Sequence, residues 1–444
     1  MATTASPPRA PTGAWRNWTG DQSCRSAEVV SPRSRDELAA AVQRAAERGD
    51  KVSVAGSGHS FTEAAMTAGT MLRIEALNGV IDADPATGLV KAEAGIVLAD
   101  LNRELDRVGL AMENLGDIDR QTLAGAISTA THGTGTGLRN ISAQVEEIEI
   151  VLADGSVREL SAAAPDLLRA ARVGVGALGA ISAVTLRCLP AFTLHRIDEP
   201  RPLEEVLSSF AELAAQNDHF EFFVFPYTNK ALTIRRNRTD REPRPRGPVR
   251  RYVGDVIVEN GVGDLLLRLA RRRRSLIPRF TSFAARMMSQ GEHLDRSHRI
   301  FANRRTIRFT EMEYAIPRPD GPEALRRVLE LIERRRFEVP MPIECRVVAA
   351  DDAFLSPSHE RETTYVAVHQ YQGMEWRPYF EAVEEIMGSY GGRPHWGKRH
   401  FQTAETLAPL YPRWDDFAKV RARLDPRGTF ANDYTDRVLG PVAR

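Results

Sequence analysis

The chain has 444 residues, 42% of them hydrophobic and 27% charged, with a formal net charge of +1. It exceeds the roughly 250–300 residues that one hydrophobic core organises, so two domains are expected, and its balanced charge excludes both a disordered chain and a nucleic-acid-coating surface. Cys24, Cys188 and Cys345 stand far apart with no CxxC pair, which fits neither a disulfide framework nor a zinc site and points to a reducing, cytoplasmic compartment.

Met1 to Gly20 has no apolar signal-peptide core, and the longest mostly apolar run, Val173 to Leu186, is too short and Gly-rich to span a bilayer. Ser34-Arg-Asp-Glu37 reads as a capping box, and Leu38, Ala41, Val42 and Ala45 follow at helical spacing, so a helix is expected over 35–48, stopped by Gly49. Lys51 to Val54 predicts a strand that runs straight into the Gly-rich loop Ala55 to Ser60. A strand at 89–94, a helix at 98–108 and a hairpin over 145–160 turning at Asp154-Gly155 come next. The β-branched stretch 174–189 adds another strand, and Pro190 marks a boundary. Beyond it the spacing predicts a helix at 203–215, strands at 219–225 and 306–316, and a helix opened by Pro322. The Arg- and Pro-rich stretches 235–251 and 268–274 read as a solvated loop followed by a helix face, with contact to an anionic membrane or nucleic acid as the other reading.

Four segments could carry chemistry. In Gly56-Ser-Gly-His-Ser60 the glycines permit positive φ and close backbone approach, so successive N–H groups can cradle a pyrophosphate. The turn lacks GxGxxG spacing and an acidic partner, which argues against a nicotinamide Rossmann site, and His59 taken alone reads equally well as an ordinary loop histidine. Ala124 to Gly137 interleaves Gly with Ala, Ile and Thr around His132, as a chain wrapping a long polar cofactor needs, rather than a solvated linker. On the strand Ile343 to Val348 the period of two puts Glu344 and Arg346 on one face, and the strand 364–372 puts Tyr365, His369 and Tyr371 on one face. Pairing the two makes a polar patch, unless both simply show a wet side to solvent. Arg393-Pro-His-Trp-Gly-Lys398 clusters cations and an aromatic in a turn; Lys398 could hold developing negative charge, or Trp396 could anchor the turn while His395 and Lys398 face water.

Together, Gly56-Ser-Gly-His-Ser-Phe61, Asn114-Leu-Gly-Asp117, Ala130-Thr-His-Gly-Thr-Gly135, Gly176-Ala-Leu-Gly-Ala-Ile181, Glu344-Cys-Arg346 and His395-Trp-Gly-Lys398 resemble, in order, the motifs of the sugar-1,4-lactone oxidoreductases and alditol oxidases, a branch of the vanillyl-alcohol-oxidase type of flavoproteins. His219 to Pro226 and Phe309 to Ile316 bring the likeness nearest to the bacterial L-gulono-1,4-lactone dehydrogenases and D-arabinono-1,4-lactone oxidases. The resemblance implies an α+β, two-domain FAD-binding fold of the PCMH type: a FAD domain over 15–190, an antiparallel-sheet cap carrying the substrate contacts over 191–393, and a segment 394–444 returning to the flavin.

By the same likeness, Val54, Ala55, Gly56, Ser57, Gly58, His59 and Ser60, with Gly125, Ala126, Ile127 and Ser128, hold FAD. Gly116, Asp117, Thr122, His132, Ile181, His395 and Lys398 complete the pocket. His59 occupies the place of the histidine that bonds the flavin covalently, while no cysteine lies between Cys24 and Cys188 to form a second tether. Glu344, Arg346, His369 and Lys398 are the expected catalytic group, with Arg346 and Lys398 supplying charge for the reduced flavin and Glu344 orienting or deprotonating substrate. The expected substrate is a small sugar lactone, with a linear polyol as the alternative. Tyr371 stands where alditol oxidases carry Thr, which favours the ring. Gly116 falls at the family's oxygen gate, so O₂, a cytochrome or a quinone are all open as electron acceptors. Nucleic acid is not expected as a partner, and any membrane contact would be peripheral, through the Arg-rich region.

Overall fold

The computed structural model describes residues 13–245, 247, 263–302 and 306–442. The expected helix forms over Arg35–Glu47, with Ser34 Oγ accepting from the Glu37 amide at 3.1 Å; the expected box closes on that side only, because the Glu37 carboxylate accepts from the Arg33 amide at 2.8 Å, one residue before the cap. Its buried row, Leu38, Ala41, Val42 and Ala45, joins the main core. Strands β1 (Glu28–Val30), β2 (Val52–Ala55) and β3 (Thr70–Arg73) make a small parallel sheet in the order β1-β3-β2. Strands β4 (Val80–Asp84), β5 (Leu89–Glu93), β6 (Val145–Val151), β7 (Val157–Leu160) and β8 (Ala180–Arg187) make an antiparallel sheet ordered β7-β6-β8-β5-β4. The β6–β7 turn falls at Asp154-Gly155 as expected, with Gly155 at φ +79°.

Residues 193–394 carry one eight-stranded antiparallel sheet. Its strands are β9 (Thr193–Pro202), β10 (His219–Val224), β11 (Lys230–Thr239), β12 (Gly291–Arg296), β13 (Phe309–Pro317), β14 (Ile343–Val348), β15 (Thr363–Tyr371) and β16 (Arg393–Pro394), ordered β12-β9-β11-β10-β14-β15-β13-β16. Strand alternation sorts the side chains. Phe220, Phe222, Met312, Tyr314, Cys345, Val347, Val366 and Val368 form a second core with the helices Gly321–Arg335 and Arg377–Gly388. The opposite face carries the polar residues, and it is buried as well.

Several expectations are corrected. The polar face of β14 and β15 is not solvent-facing: Gly135 donates its amide to Val347 O at 2.7 Å, and the His132 ring stacks on Tyr365 at 3.7 Å, so the loop from the first half covers it. The helix over 203–215 is broken at Ser209 into Leu203–Ser208 and Phe210–Ala215. Arg235 to Thr239 belongs to β11 rather than to a loop; of the expected loop, 246 and 248–251 lie outside the described residues. Strand β13 begins at Phe309, not 306. Among the described residues the three cysteines are free, and no helix is long and apolar enough to cross a membrane.

The C-terminal segment returns to the first core. Trp396, Leu407, Tyr411, Phe417, Phe430 and Tyr434 pack with Leu38 and Val42, Thr429 O accepts from the Val52 amide at 2.8 Å, and Asn432 Nδ2 donates to Ala64 O at 2.9 Å. Asp351, in the connection after β14, is buried and accepts from Ser356 Oγ at 2.6 Å. Burial pushes its carboxyl up to about 6. The folded chain therefore binds a proton there that the unfolded chain releases near pH 4, so stability from this group falls as pH rises through the window from about 4 to 6. Asp351→Asn is expected to flatten that slope, gaining up to about 3 kcal/mol relative to the parent at pH 7.5. Urea midpoints at pH 4.5 and 7.5 check it; a gain of equal size at both values would refute the assignment.

Candidate active site

The two halves enclose a cavity with about 1490 Å³ of empty space, part of it open to solvent, between the polar face of the eight-stranded sheet and the loops of the first half. Its first wall is the turn after β2. Gly56 accepts no side chain because a Cβ would collide with Thr122 Oγ1, and Gly58 takes φ +69° with its would-be Cβ against Trp15 and Asn17. Thr122 in turn caps the helix Leu123–Ser128 by accepting from the Gly125 amide at 3.3 Å. Ser57 Oγ is buried in this wall and has no hydrogen-bond partner among the described residues. An orphaned hydroxyl on a glycine-lined cradle fits a polar ligand that supplies the missing bond, as a pyrophosphate does.

His59 lies in the same turn and stacks on Trp18 with ring centroids 5.3 Å apart. Burial, then the charges of Lys398 and Arg120, lower its imidazole to about 4, so the ring is neutral at ordinary pH and keeps a nucleophilic lone pair.

The opposite wall carries the charges. Arg346 donates from Nε to Glu221 Oε2 at 3.0 Å, and its Nη2 lies 2.5 Å from Glu344 Oε1 and 3.3 Å from Asp117 Oδ1. Glu221 takes a second guanidinium from behind, Arg236 Nη2 at 2.7 Å. Burial works against the charged form of Arg346, but Glu344, Glu221 and Asp117 outweigh it and raise its pKa well above the usual guanidinium value.

Two carboxylates of β13, Glu311 and Glu313, are two residues apart and face the same side. Lys398 Nζ donates to Glu311, whose other oxygen lies 3.6 Å from His369 Nε2. Burial would raise Glu311, yet Lys398 and His369 bring it down to about 2. Glu313 lies 3.2 Å from His132 Nε2 and is held below the ordinary carboxylate range, because His132 and His395 outweigh its burial. Carbonyls of Gly133 and Pro342 sit 2.8 and 2.9 Å from the Nδ1 atoms of His132 and His369. A carbonyl only accepts, so both Nδ1 atoms carry hydrogen and both Nε2 atoms meet a carboxylate.

Of the residues expected from sequence, Val54, Gly56, Ser57, Gly58, His59, Ser60, Gly116, Asp117, Thr122, Gly125, Ser128, His132, Ile181, Arg346, His395 and Lys398 line the cavity. Ala55, Ala126 and Ile127 are buried in the cores behind it. Glu344 and His369 stand one layer back, touching Arg346 and Glu311. Trp396 does anchor its turn, but His395 and Lys398 face the cavity instead of water. Sequence reasoning gave no role to Trp18, Glu221, Glu311 or Glu313. Carboxylates at alternate positions of the otherwise apolar run Phe309 to Ile316 were the available signal.

A glycine-lined cradle, a neutral histidine, and the cations Arg346 and Lys398 facing one cavity fit an FAD-dependent oxidoreductase. The FAD-binding domain family matches residues 26–161, and the family described as D-arabinono-1,4-lactone oxidase matches 184–438. The chain belongs to the D-arabinono-1,4-lactone oxidase family. It is 51% identical to a Mycobacterium tuberculosis protein named L-gulono-1,4-lactone dehydrogenase, over 96% of this chain and 99% of the relative. It is 31% identical to the mouse L-gulonolactone oxidase (96% and 98% covered) and 31% identical to a Streptomyces alditol oxidase (95% and 98%). Among solved structures, the cholesterol oxidase of B. sterolicum shares the fold, with TM-score 0.82 and 18% identity over 99% of this chain and 100% of that one.

Proposed function

We propose that the chain oxidises a carbinol carbon of an aldono-1,4-lactone such as L-gulono-, L-galactono- or D-arabinono-1,4-lactone. FAD, when bound, supplies the hydride acceptor. The observation that carries the reading is Arg346, a buried guanidinium in the cavity wall held by three carboxylates and so aimed rather than free to swing. Arg346 and Lys398 place fixed positive charge where negative charge develops, and Glu344, one layer behind, orients the arginine toward the substrate hydroxyl in place of touching the substrate itself. Tyr371 supports a ring over a linear polyol: it is bulkier than the threonine of alditol oxidases, and its hydroxyl proton is committed to Asp264 at 2.7 Å, so it has no proton to donate to a polyol chain. Turnover of L-gulono-1,4-lactone should exceed that of xylitol at equal concentration; the reverse order would hand the site to the alditol reading.

Within this reading His59 is the covalent anchor of the flavin, its neutral ring supplying the bonding nitrogen. Acid precipitation should leave yellow flavin with the parent protein and release it from His59→Ala; flavin freed from the parent would refute the tether while leaving the flavoenzyme. Gly116 in the cavity wall carries no side chain, which leaves O₂ a path alongside a cytochrome or quinone acceptor.

A further inference from the structure

Four of the large apolar side chains that are exposed among the described residues sit on one short helical hairpin, Gly263–Arg272 and Ile277–Met287: Leu265 (58% exposed), Leu269 (40%), Phe283 (51%) and Met287 (67%). Each helix is apolar on two sides. The inner rows, with Ala270 on the first helix and Ile277 and Ala285 on the second, are buried; Ala270 and Ile277 join a cluster with Phe61, Phe309 and Tyr371 at the edge of the cavity. The outer rows follow helical spacing: Leu265, Leu269 and Arg272 are i, i+4 and i+7, and Arg279, Phe283, Arg286 and Met287 are i, i+4, i+7 and i+8.

Residues 263–287 hold seven arginines against one aspartate, a net charge of +6. Asp264 already pairs with Arg268 at 2.7 Å and accepts from Tyr371, whereas Arg272, Arg279 and Arg286 are exposed beside the outer apolar rows. Apolar rows outward, flanked by guanidinium groups, suit a surface that is both negatively charged and apolar beneath its headgroups. A nucleic acid would use the arginines and leave the leucines, Phe283 and Met287 wet.

We propose that this hairpin docks the enzyme on an anionic lipid bilayer. The outer rows enter the headgroup layer, the arginines meet acidic lipid heads, and the inner rows keep the hairpin on the cavity's apolar rim. The inference stands on the hairpin itself and does not depend on which lactone is oxidised.

The test is co-sedimentation of the full-length holoenzyme with vesicles of phosphatidylcholine alone and of phosphatidylcholine with phosphatidylglycerol, at low and high salt. Binding is expected on the anionic vesicles only. Two variants, Phe283→Ser with Met287→Ser and Arg279→Glu with Arg286→Glu, should each weaken it at least about tenfold, since one arginine at such a surface is worth roughly fivefold and one large apolar side chain buried there at least as much. Neither pair lies in the flavin or substrate site, so activity with a soluble acceptor should persist and report folding. No sedimentation on anionic vesicles, or binding that ignores the Phe283 and Met287 changes, would overturn the proposal. Retention on DNA without retention on vesicles would overturn it in favour of nucleic acid, and a dimer that the serine variant dissolves would show that a second copy covers the face.

Discussion

Arg346→Ala is expected to lower kcat/KM for the lactone by about 10²–10³-fold, the size seen when one preorganised charge donor leaves a site. The same change removes the cation shared by Glu221, Glu344 and Asp117. Buried Glu344 and half-buried Asp117 then lose this cation, and Glu221 is left with Arg236 alone, a loss worth about 3–5 kcal/mol of folding free energy when a buried pair is broken. Activity loss alone would therefore not separate chemistry from unfolding, and Arg346→Lys resolves the two. Lysine keeps the charge, and with it most of the stability and the bound FAD. A single ammonium cannot meet Glu221 from one nitrogen and Glu344 from another, so catalysis should still fall well below the parent. Flavin absorbance, a thermal melt and steady-state rates on the same preparations check this. An alanine variant that keeps its flavin and turns over within tenfold of the parent would remove Arg346 from the mechanism.

The legible part of the molecule is the part set by local rules. The helix at Arg35–Glu47 is announced by its capping box and its apolar row, and Glu344 and Arg346 follow from a period of two along a single strand. The Gly-rich turn was readable because backbone geometry and space leave few alternatives at Gly56 and Gly58. What could not be read was register across the large sheet. Glu221 faces Arg346 because β10 pairs with β14, with Glu221 opposite Arg346, and Glu311 meets His369 because β13 pairs with β15 with those two opposite. These partners are 125 and 58 positions apart, a separation that no local pattern encodes. The break at Ser209 illustrates the converse: helical spacing runs through it, and docking onto the sheet decides where the helix divides.

The same long-range closure explains how a turn as late in the chain as residues 395–398 comes to carry two site residues. Trp396 is fully buried between them, donates Nε1–H to Leu355 O at 2.6 Å and stacks on Tyr411 with centroids 5.5 Å apart. His395 precedes it and Lys398 follows two residues later, so the indole fixes both on the cavity wall. Trp396→Ala should cost about 3–5 kcal/mol, the range for emptying a core site of that size, and it also leaves the Leu355 carbonyl unpaired. Because the lost packing joins the C-terminal segment to the first core, the effect should reach the cofactor: FAD retention after gel filtration should drop together with the melting temperature, and added FAD should recover part of the latter by mass action. Trp396→Phe keeps a ring for the stacking but loses the donor and part of the buried volume, and should fall between parent and alanine variant. A Trp396→Ala protein with unchanged stability but weakened flavin binding would mean that the indole acts on the cofactor directly and that the turn is held by other contacts.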